Sequence, residues 1–294
     1  MKQEVVDLKK ILNGGFYIKK EKKPNTSILM IHGFLESDEM FKPLASYLKK
    51  DNFDIYSIIL PGHKTNVTDL STKTHKDWIN ASLEAYNYLS KEYKKVIVIG
   101  FSLGGTLALE IASKKTPYKV ITISAPVMFF DLKFMIDSLN NKNDYLKYAL
   151  NDFRKRVKEK KLNNLKFKII ENKTDFIIGN IYKQWINSIP DAVLPKFKKF
   201  YFFYDDFSYS AVKEVVRITS DLRKRLYHIK SPYLCIHSKK DYLISPRNAN
   251  EILGNISSDF SEKFILKHSP HNCLLGKEYN LVNKKIREFI IRDI

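Results

Sequence analysis

The sequence predicts an α/β fold, with a mostly parallel central sheet flanked by helices and an inserted helical segment. Three observations predict it. Short β-branched runs alternate with stretches of helical periodicity in the first 128 residues and again after residue 229. One of those runs, Lys95-Val96-Ile97-Val98-Ile99, is apolar on both faces, as a strand covered by helices on both sides must be. From about Phe129 to His228 the alternation gives way to helical segments rich in Lys and aromatic residues.

Taken in order, Phe16 to Lys19 and Ser27 to Ile31 read as strands, with Pro24-Asn25 as the turn between them. Met40, Phe41, Leu44, Ala45 and Leu48 recur at helical spacing. A strand from Phe53 to Leu60 is ended by Pro61-Gly62, and Trp78, Ile79, Leu83 and Tyr86 share one face of a helix over 78–89. Lys95 to Ile99 is the buried strand, Thr106 to Ser113 a helix, and Val120 to Ser124 another buried strand closed by Pro126. After the insertion come a strand at Tyr233 to His237, a helix at Pro246 to Leu253, a strand at Lys263 to Leu266 and a final helix at Leu281 to Ile291. The division expected is therefore a core of 1–128 and 229–294 and an insertion of 129–228, whose densest aromatic cluster is Tyr201-Phe202-Phe203-Tyr204 with Phe207 and Tyr209.

Composition narrows the classes. With 294 residues, 44% of them hydrophobic, the chain can bury a sizeable core, and disorder or collagen-like repetition is excluded. Lys and Arg number 51 against 32 Asp and Glu, a net charge of +19, of which residues 131–230 supply 22 basic and 12 acidic side chains. A solvated basic surface accounts for this, and no zinc-finger or helix-turn-helix pattern supports a nucleic-acid partner. A weak peripheral contact with anionic membrane stays open. Cys235 and Cys273 sit in apolar contexts and read as core filler in a reducing compartment. The amino-terminal MKQEVVDLKK is too charged for a signal peptide, and the longest uncharged run, the 14 residues Val96 to Leu109, is too short for a membrane span. A cytoplasmic location is expected.

The sharpest motif is Gly100-Phe101-Ser102-Leu103-Gly104, a GxSxG between a buried strand and a helix. A tight strand-to-helix turn lifts one hydroxyl above the sheet, and glycines on either side leave room for it. A serine hydroxyl needs a base and a group that orients the base. His271 lies in the loop Ser269-Pro270-His271-Asn272 after the last predicted strand and is the candidate base; His268 belongs rather to the strand end. Asp241 follows the strand 233–237 and is the candidate acid, giving the chain order nucleophile, acid, base. An oxyanion also needs preset donors. The Leu103 N–H at a helix start and the Phe34 N–H after His32-Gly33 are the candidates, with the His32 side chain bracing its loop.

Together, His32-Gly33-Phe34, Leu60-Pro61-Gly62-His63, Thr74-His75-Lys76-Asp77-Trp78, the Ser102 pentapeptide with Gly105, Ser124-Ala125-Pro126, Asp241 with Pro246, and His271 resemble the α/β-hydrolase superfamily. Within it they resemble the bacterial carboxylesterase and monoacylglycerol-lipase-like serine hydrolases. The resemblance covers about 27–126 and 232–291. It implies Ser102 as nucleophile, Asp241 as acid, His271 as base, Phe34 and Leu103 as oxyanion donors, an ester or lipid substrate, a cap formed by the insertion, and no metal or cofactor. Two positions depart from the family pattern: Lys64 and Pro270 stand where glycines are usual. The same three residues would serve a lysophospholipase, an acyl-thioesterase or a proline iminopeptidase, and a non-catalytic protein that binds anionic surfaces is a reading of another class.

Overall fold

The computed structural model describes residues 8–128, 209–241 and 243–293. Residues 201–207 of the aromatic cluster and most of the insertion expected at 129–228 lie outside them.

Seven strands form one sheet: β1 (Tyr17–Ile18), β2 (Thr26–Ile31), β3 (Asp54–Ile58), β4 (Lys95–Phe101), β5 (Lys119–Ile123), β6 (Tyr233–Ser238) and β7 (Ser261–Leu266), in the order β1-β3-β2-β4-β5-β6-β7. All neighbours are parallel except β1, which pairs antiparallel with β3 through Tyr17 opposite Tyr56. The turn expected at Pro24-Asn25 therefore does not close a hairpin. It carries the chain past β3, so that β2 lies between β3 and β4.

The helices among the described residues include α1 (Lys42–Leu48), α2 (Val67–Ser71), α3 (His75–Glu92), α4 (Leu103–Lys114), α5 (Tyr209–Arg223), α6 (Arg247–Leu253) and α7 (Tyr279–Ile291). The predicted elements recur with their ends moved by a few residues. Helix α3 starts three residues earlier than its apolar face because Thr74 and Asp77 form a reciprocal cap there. Helix α2, which the sequence reading passed over, is five residues long and is started by Asn66, whose side chain accepts from the Asp69 N–H at 2.9 Å. Helix α5 buries Ala211, Val212, Val215, Ile218 and Leu222, which recur at the spacing of a single face. Its Glu214 reaches the start of α3, accepting from the His75 main chain at 3.1 Å and meeting His75 Nδ1 at 2.5 Å.

The core follows the β-branched runs. Ile28, Met30, Ile97, Ile99, Ile121, Ile123, Leu234 and Ile236 from four adjacent strands pack with Phe41, Leu44, Ile286 and Phe289 of the covering elements, all essentially without exposure. Cys235 and Cys273 are buried free thiols, as expected of core filler. Lys119, fully buried at the start of β5, is satisfied by the end of the last helix. Its ammonium donates to the carbonyls of Phe289 (2.9 Å), Ile290 (3.0 Å) and Arg292, groups that a helix end leaves without internal partners.

The parallel strands deliver their carboxyl ends to one edge of the sheet. Ser102 follows β4, Asp241 lies three residues beyond β6, and His271 lies five beyond β7. This is the α/β-hydrolase arrangement. No helix of the described residues is long and apolar enough to cross a membrane.

Candidate active site

The turn between β4 and α4 is built for close approach. A Cβ on Gly100 would stand 2.0 Å from the Gly104 carbonyl oxygen, and one on Gly104 would stand 1.9 Å from that of Ile31 in the neighbouring strand. Only hydrogen fits at either position, which is the physical content of the two glycines in GxSxG. Between them Ser102 is held at φ 51°, ψ −120°, a conformation that L-residues rarely adopt and that the surrounding hydrogen bonds must maintain. One such bond runs from its N–H to the Ile123 carbonyl at 2.8 Å.

Residues far apart in the chain meet there. His271 Nε2 lies 3.0 Å from Ser102 Oγ, and His271 Nδ1 lies 2.7 Å from Asp241 Oδ2. The proton between imidazole and carboxylate sits on Nδ1, which leaves Nε2 to accept from the hydroxyl. Asp241 Oδ1 accepts the N–H groups of Leu243 (3.0 Å) and Ile244 (2.8 Å), so both oxygens of this buried carboxylate are engaged. Burial pushes its pKa up, but His271, His237 and the Ile244 N–H outweigh that and hold it below the usual carboxylate value. His237 lies 3.4 Å from Asp241 Oδ2 and 3.0 Å from the Ile244 carbonyl; burial lowers its pKa, and the Asp241 charge opposes that.

The other predicted residues fall around this chain. Leu103 is the first residue of α4, where helix N–H groups point outward and the dipole favours negative charge. Phe34 follows Gly33, and the loop passes so close to Ser102 that a Cβ on Gly33 would stand 3.1 Å from Ser102 Cβ. The Phe34 ring packs edge-on against His63 and Trp78. His32 braces its loop as anticipated: its Nε2 accepts from the Leu60 N–H at 3.0 Å, so Nδ1 carries the proton and donates to the Gly33 carbonyl at 2.8 Å. Burial, then the nearby His63, keeps its pKa well below the ordinary value. His268 is exposed and takes no part.

Both departures from the family pattern have a local explanation. Lys64 adopts φ 58°, the left-handed conformation in which a glycine costs nothing. Pro270 does not misplace His271, because the loop is fixed by side chains on either side. Ser124, itself at φ 52° beyond β5, donates to the His271 carbonyl at 3.0 Å, and Ser238 at the end of β6 donates to the Ser269 carbonyl. Glu278 accepts from the N–H groups of Lys267 (3.2 Å), His268 (2.9 Å) and Ser269 (2.8 Å) and from the Ser269 hydroxyl. Sequence reasoning missed Ser238 and Glu278; the available signal was a carboxylate seven residues after His271, just before a helix.

Burial alone would raise the Glu278 carboxyl, yet those donors bring it down to about 2. An unfolded glutamate titrates near ~4.3, so this stabilisation is complete above that pH and is lost as pH falls through about 2. The melting temperature is expected to fall between about pH 5 and pH 2, and Glu278→Gln to remove part of that slope while lowering the neutral-pH value. Calorimetric melts of both proteins across that range check it; superimposable profiles would refute it.

No group of three or more His, Cys, Asp or Glu arranged to hold a metal occurs among the described residues. The chain matches the family model described as serine aminopeptidase, S33, over residues 22–278. It is 21% identical over 265 residues to a carboxylesterase of Bacillus subtilis (strain 168), spanning 90% of this chain and 92% of that one. It is 22% identical over 267 residues to a thermostable monoacylglycerol lipase of Bacillus sp. (strain H-257), spanning 90% of each. A solved structure from work on two metagenome-derived lipolytic enzymes, LipS and LipT, superposes with a TM-score of 0.68 at 19% identity, covering 95% of this chain and 98% of that chain.

Proposed function

Because the chain belongs to the serine aminopeptidase S33 family and has its α/β-hydrolase fold, we propose that it is a serine hydrolase of carboxylic esters, of carboxylesterase or monoacylglycerol-lipase type. The observation that carries the reading is the unbroken hydrogen-bonded chain Ser102 Oγ, His271, Asp241. The two ester-hydrolysing relatives, matched over nine-tenths of their lengths, favour esters over peptides.

In this mechanism Ser102 Oγ attacks the ester carbonyl while His271 Nε2 takes its proton. The C–O bond to the alcohol breaks as the imidazolium returns that proton to the leaving oxygen. Water, deprotonated by the same nitrogen, then attacks the acyl-serine, freeing the acid and restoring the hydroxyl. Asp241 keeps the imidazole in the correct tautomer and offsets its charge. The N–H groups of Leu103 and Phe34 receive the oxyanion, at the positive end of α4 and across from Ser102 respectively. No step calls on a cofactor.

Residues 129–228 supply the cap in this reading, and with it the choice of acyl chain. The charge of +19 supports an added, weak and salt-sensitive contact with anionic lipid in a cytoplasmic setting. The family description names a peptidase, so an aminopeptidase is the second reading. A panel of p-nitrophenyl esters of increasing acyl length, a monoacylglycerol, an acyl-CoA and prolyl-naphthylamide separates them, with kcat/KM as readout. An ester is expected to exceed the amide by at least about 100-fold; the reverse order would replace the esterase reading with the peptidase one.

A further inference from the structure

Glu36 is a buried acidic residue beside the site that the mechanism leaves without a task. It is 5% exposed, in the loop that runs from His32 through Phe34. Its main-chain N–H donates to the Gly33 carbonyl at 3.3 Å, and its Oε1 accepts from Asn272 Nδ2, also at 3.3 Å, across 236 positions of sequence. Asn272 is the residue after His271. The other carboxyl oxygen, Oε2, reaches no hydrogen-bond partner among the described residues, and a Cβ on Gly33 would stand 2.6 Å from it. That same Cβ would stand 3.1 Å from Ser102 Cβ, so carboxyl and serine face each other across a residue with no side chain.

Two further facts bear on what the group does. Leu35, between Phe34 and Glu36, is held at φ 60°, a costly conformation for a γ-branched side chain that persists only where neighbours enforce it. Burial pushes the Glu36 carboxyl up to about 8, with the Gly33 main chain and the Asn272 amide offsetting it only in part. At neutral pH the group is therefore mainly the uncharged acid, which costs far less to bury than a carboxylate. It can serve as a neutral tie.

We propose that Glu36 is a positioning residue, which through Asn272 ties the loop carrying the Phe34 N–H to the loop carrying His271 and so sets the oxyanion donor against the base. The kinetic readout rests on the ester-hydrolase reading above. Misplacing one half of such a site by about 1 Å costs on the order of 100-fold in rate, and little in ground-state binding. Four variants test it: Glu36→Leu, Glu36→Gln, Asn272→Leu and the double Leu variant, each assayed on a short-chain p-nitrophenyl ester and by amide hydrogen exchange over residues 33–37.

Each single Leu variant is expected to lower kcat by about 10- to 100-fold with KM changed less than about 3-fold. The Phe34 amide is expected to exchange faster in both. The double variant should be no worse than either single one, since one link is lost in all three. Glu36→Gln, the shape of the protonated acid, should stay within about 3-fold of the parent kcat and keep its exchange pattern. The proposal is overturned by an unchanged kcat in Glu36→Leu, by a loss confined to KM, by a Gln variant as poor as the Leu one, or by multiplicative losses in the double variant. If Glu36→Leu does not fold, Asn272→Leu and Glu36→Gln decide the question from the other loop and from the isostere. A parent protein that turns over no ester sinks the esterase reading instead, and the exchange comparison then judges the tie by itself.

Discussion

Ser102→Ala is expected to lower kcat for ester hydrolysis by about 10⁴- to 10⁶-fold while leaving KM within a few-fold. The loss is in kcat because the missing oxygen is the atom that forms the new bond, whereas the substrate's contacts with the rest of the site persist. Removing the base as well should cost nothing more: Ser102 and His271 are joined at 3.0 Å and act as one unit, so Ser102→Ala with His271→Ala should match Ser102→Ala alone. Asp241→Asn should be milder, by about 10³- to 10⁴-fold, since the hydroxyl and imidazole remain but the ring loses the acceptor that fixes its tautomer. Stopped assays with a p-nitrophenyl ester and labelling by a fluorophosphonate measure all of these. An alanine variant at 102 that still reacts covalently with the phosphonate, or a double variant far below the single one, would remove Ser102 from the centre of the mechanism.

Gly104→Ala is expected to destabilise the fold by about 3 kcal/mol or more, at the upper end of what an added methyl does in a packed interior. The new Cβ would stand 1.9 Å from the Ile31 carbonyl oxygen and 2.5 Å from that of His32. Both are main-chain atoms, and β2 cannot yield because it is hydrogen-bonded to β3 on one side and β4 on the other. Gly254→Ala is the control. There φ is −76° and the nearest atom to a new Cβ is 3.1 Å away, so the change should lie within about 1 kcal/mol of neutral. Urea unfolding of the three proteins gives the comparison. A Gly104→Ala protein as stable as its parent would mean that helix α4 can lift from the strand, and that the serine's unusual backbone is not enforced by this contact.

Local periodicity carried most of the fold into view. Lys95 to Ile99, Val120 to Ser124 and Tyr233 to His237 are legible as strands because a strand buried on both faces leaves an unbroken apolar run. The pairing of Tyr17 and Ile18 with β3 is not legible, since two antiparallel residues at an edge leave no periodic trace. Helix α2 hides for the same reason, at five residues with one buried side chain, Leu70. Among site residues, Ser102, Asp241 and His271 declare themselves by type, by loop context and by order along the chain. Glu36, Ser238 and Glu278 do not, because the groups they hold, the Asn272 amide and the main chain of 267–269, belong to another loop that no local pattern joins to them. Substrate choice, which we propose for residues 129–228, is not legible, because a Lys-rich sequence with helical patterning names no ligand.

The meeting of Ser102 with a histidine 169 positions later carries a consequence for biosynthesis. On the ribosome the GxSxG turn emerges long before its partners, with nothing to draw off its proton. Lys119 likewise waits 170 positions or more for the carbonyls that receive it. The reactive centre and the seal on the last helix are thus completed by the same late stretch of chain. On the esterase reading, a chain that ends before His271 is expected to hydrolyse no ester.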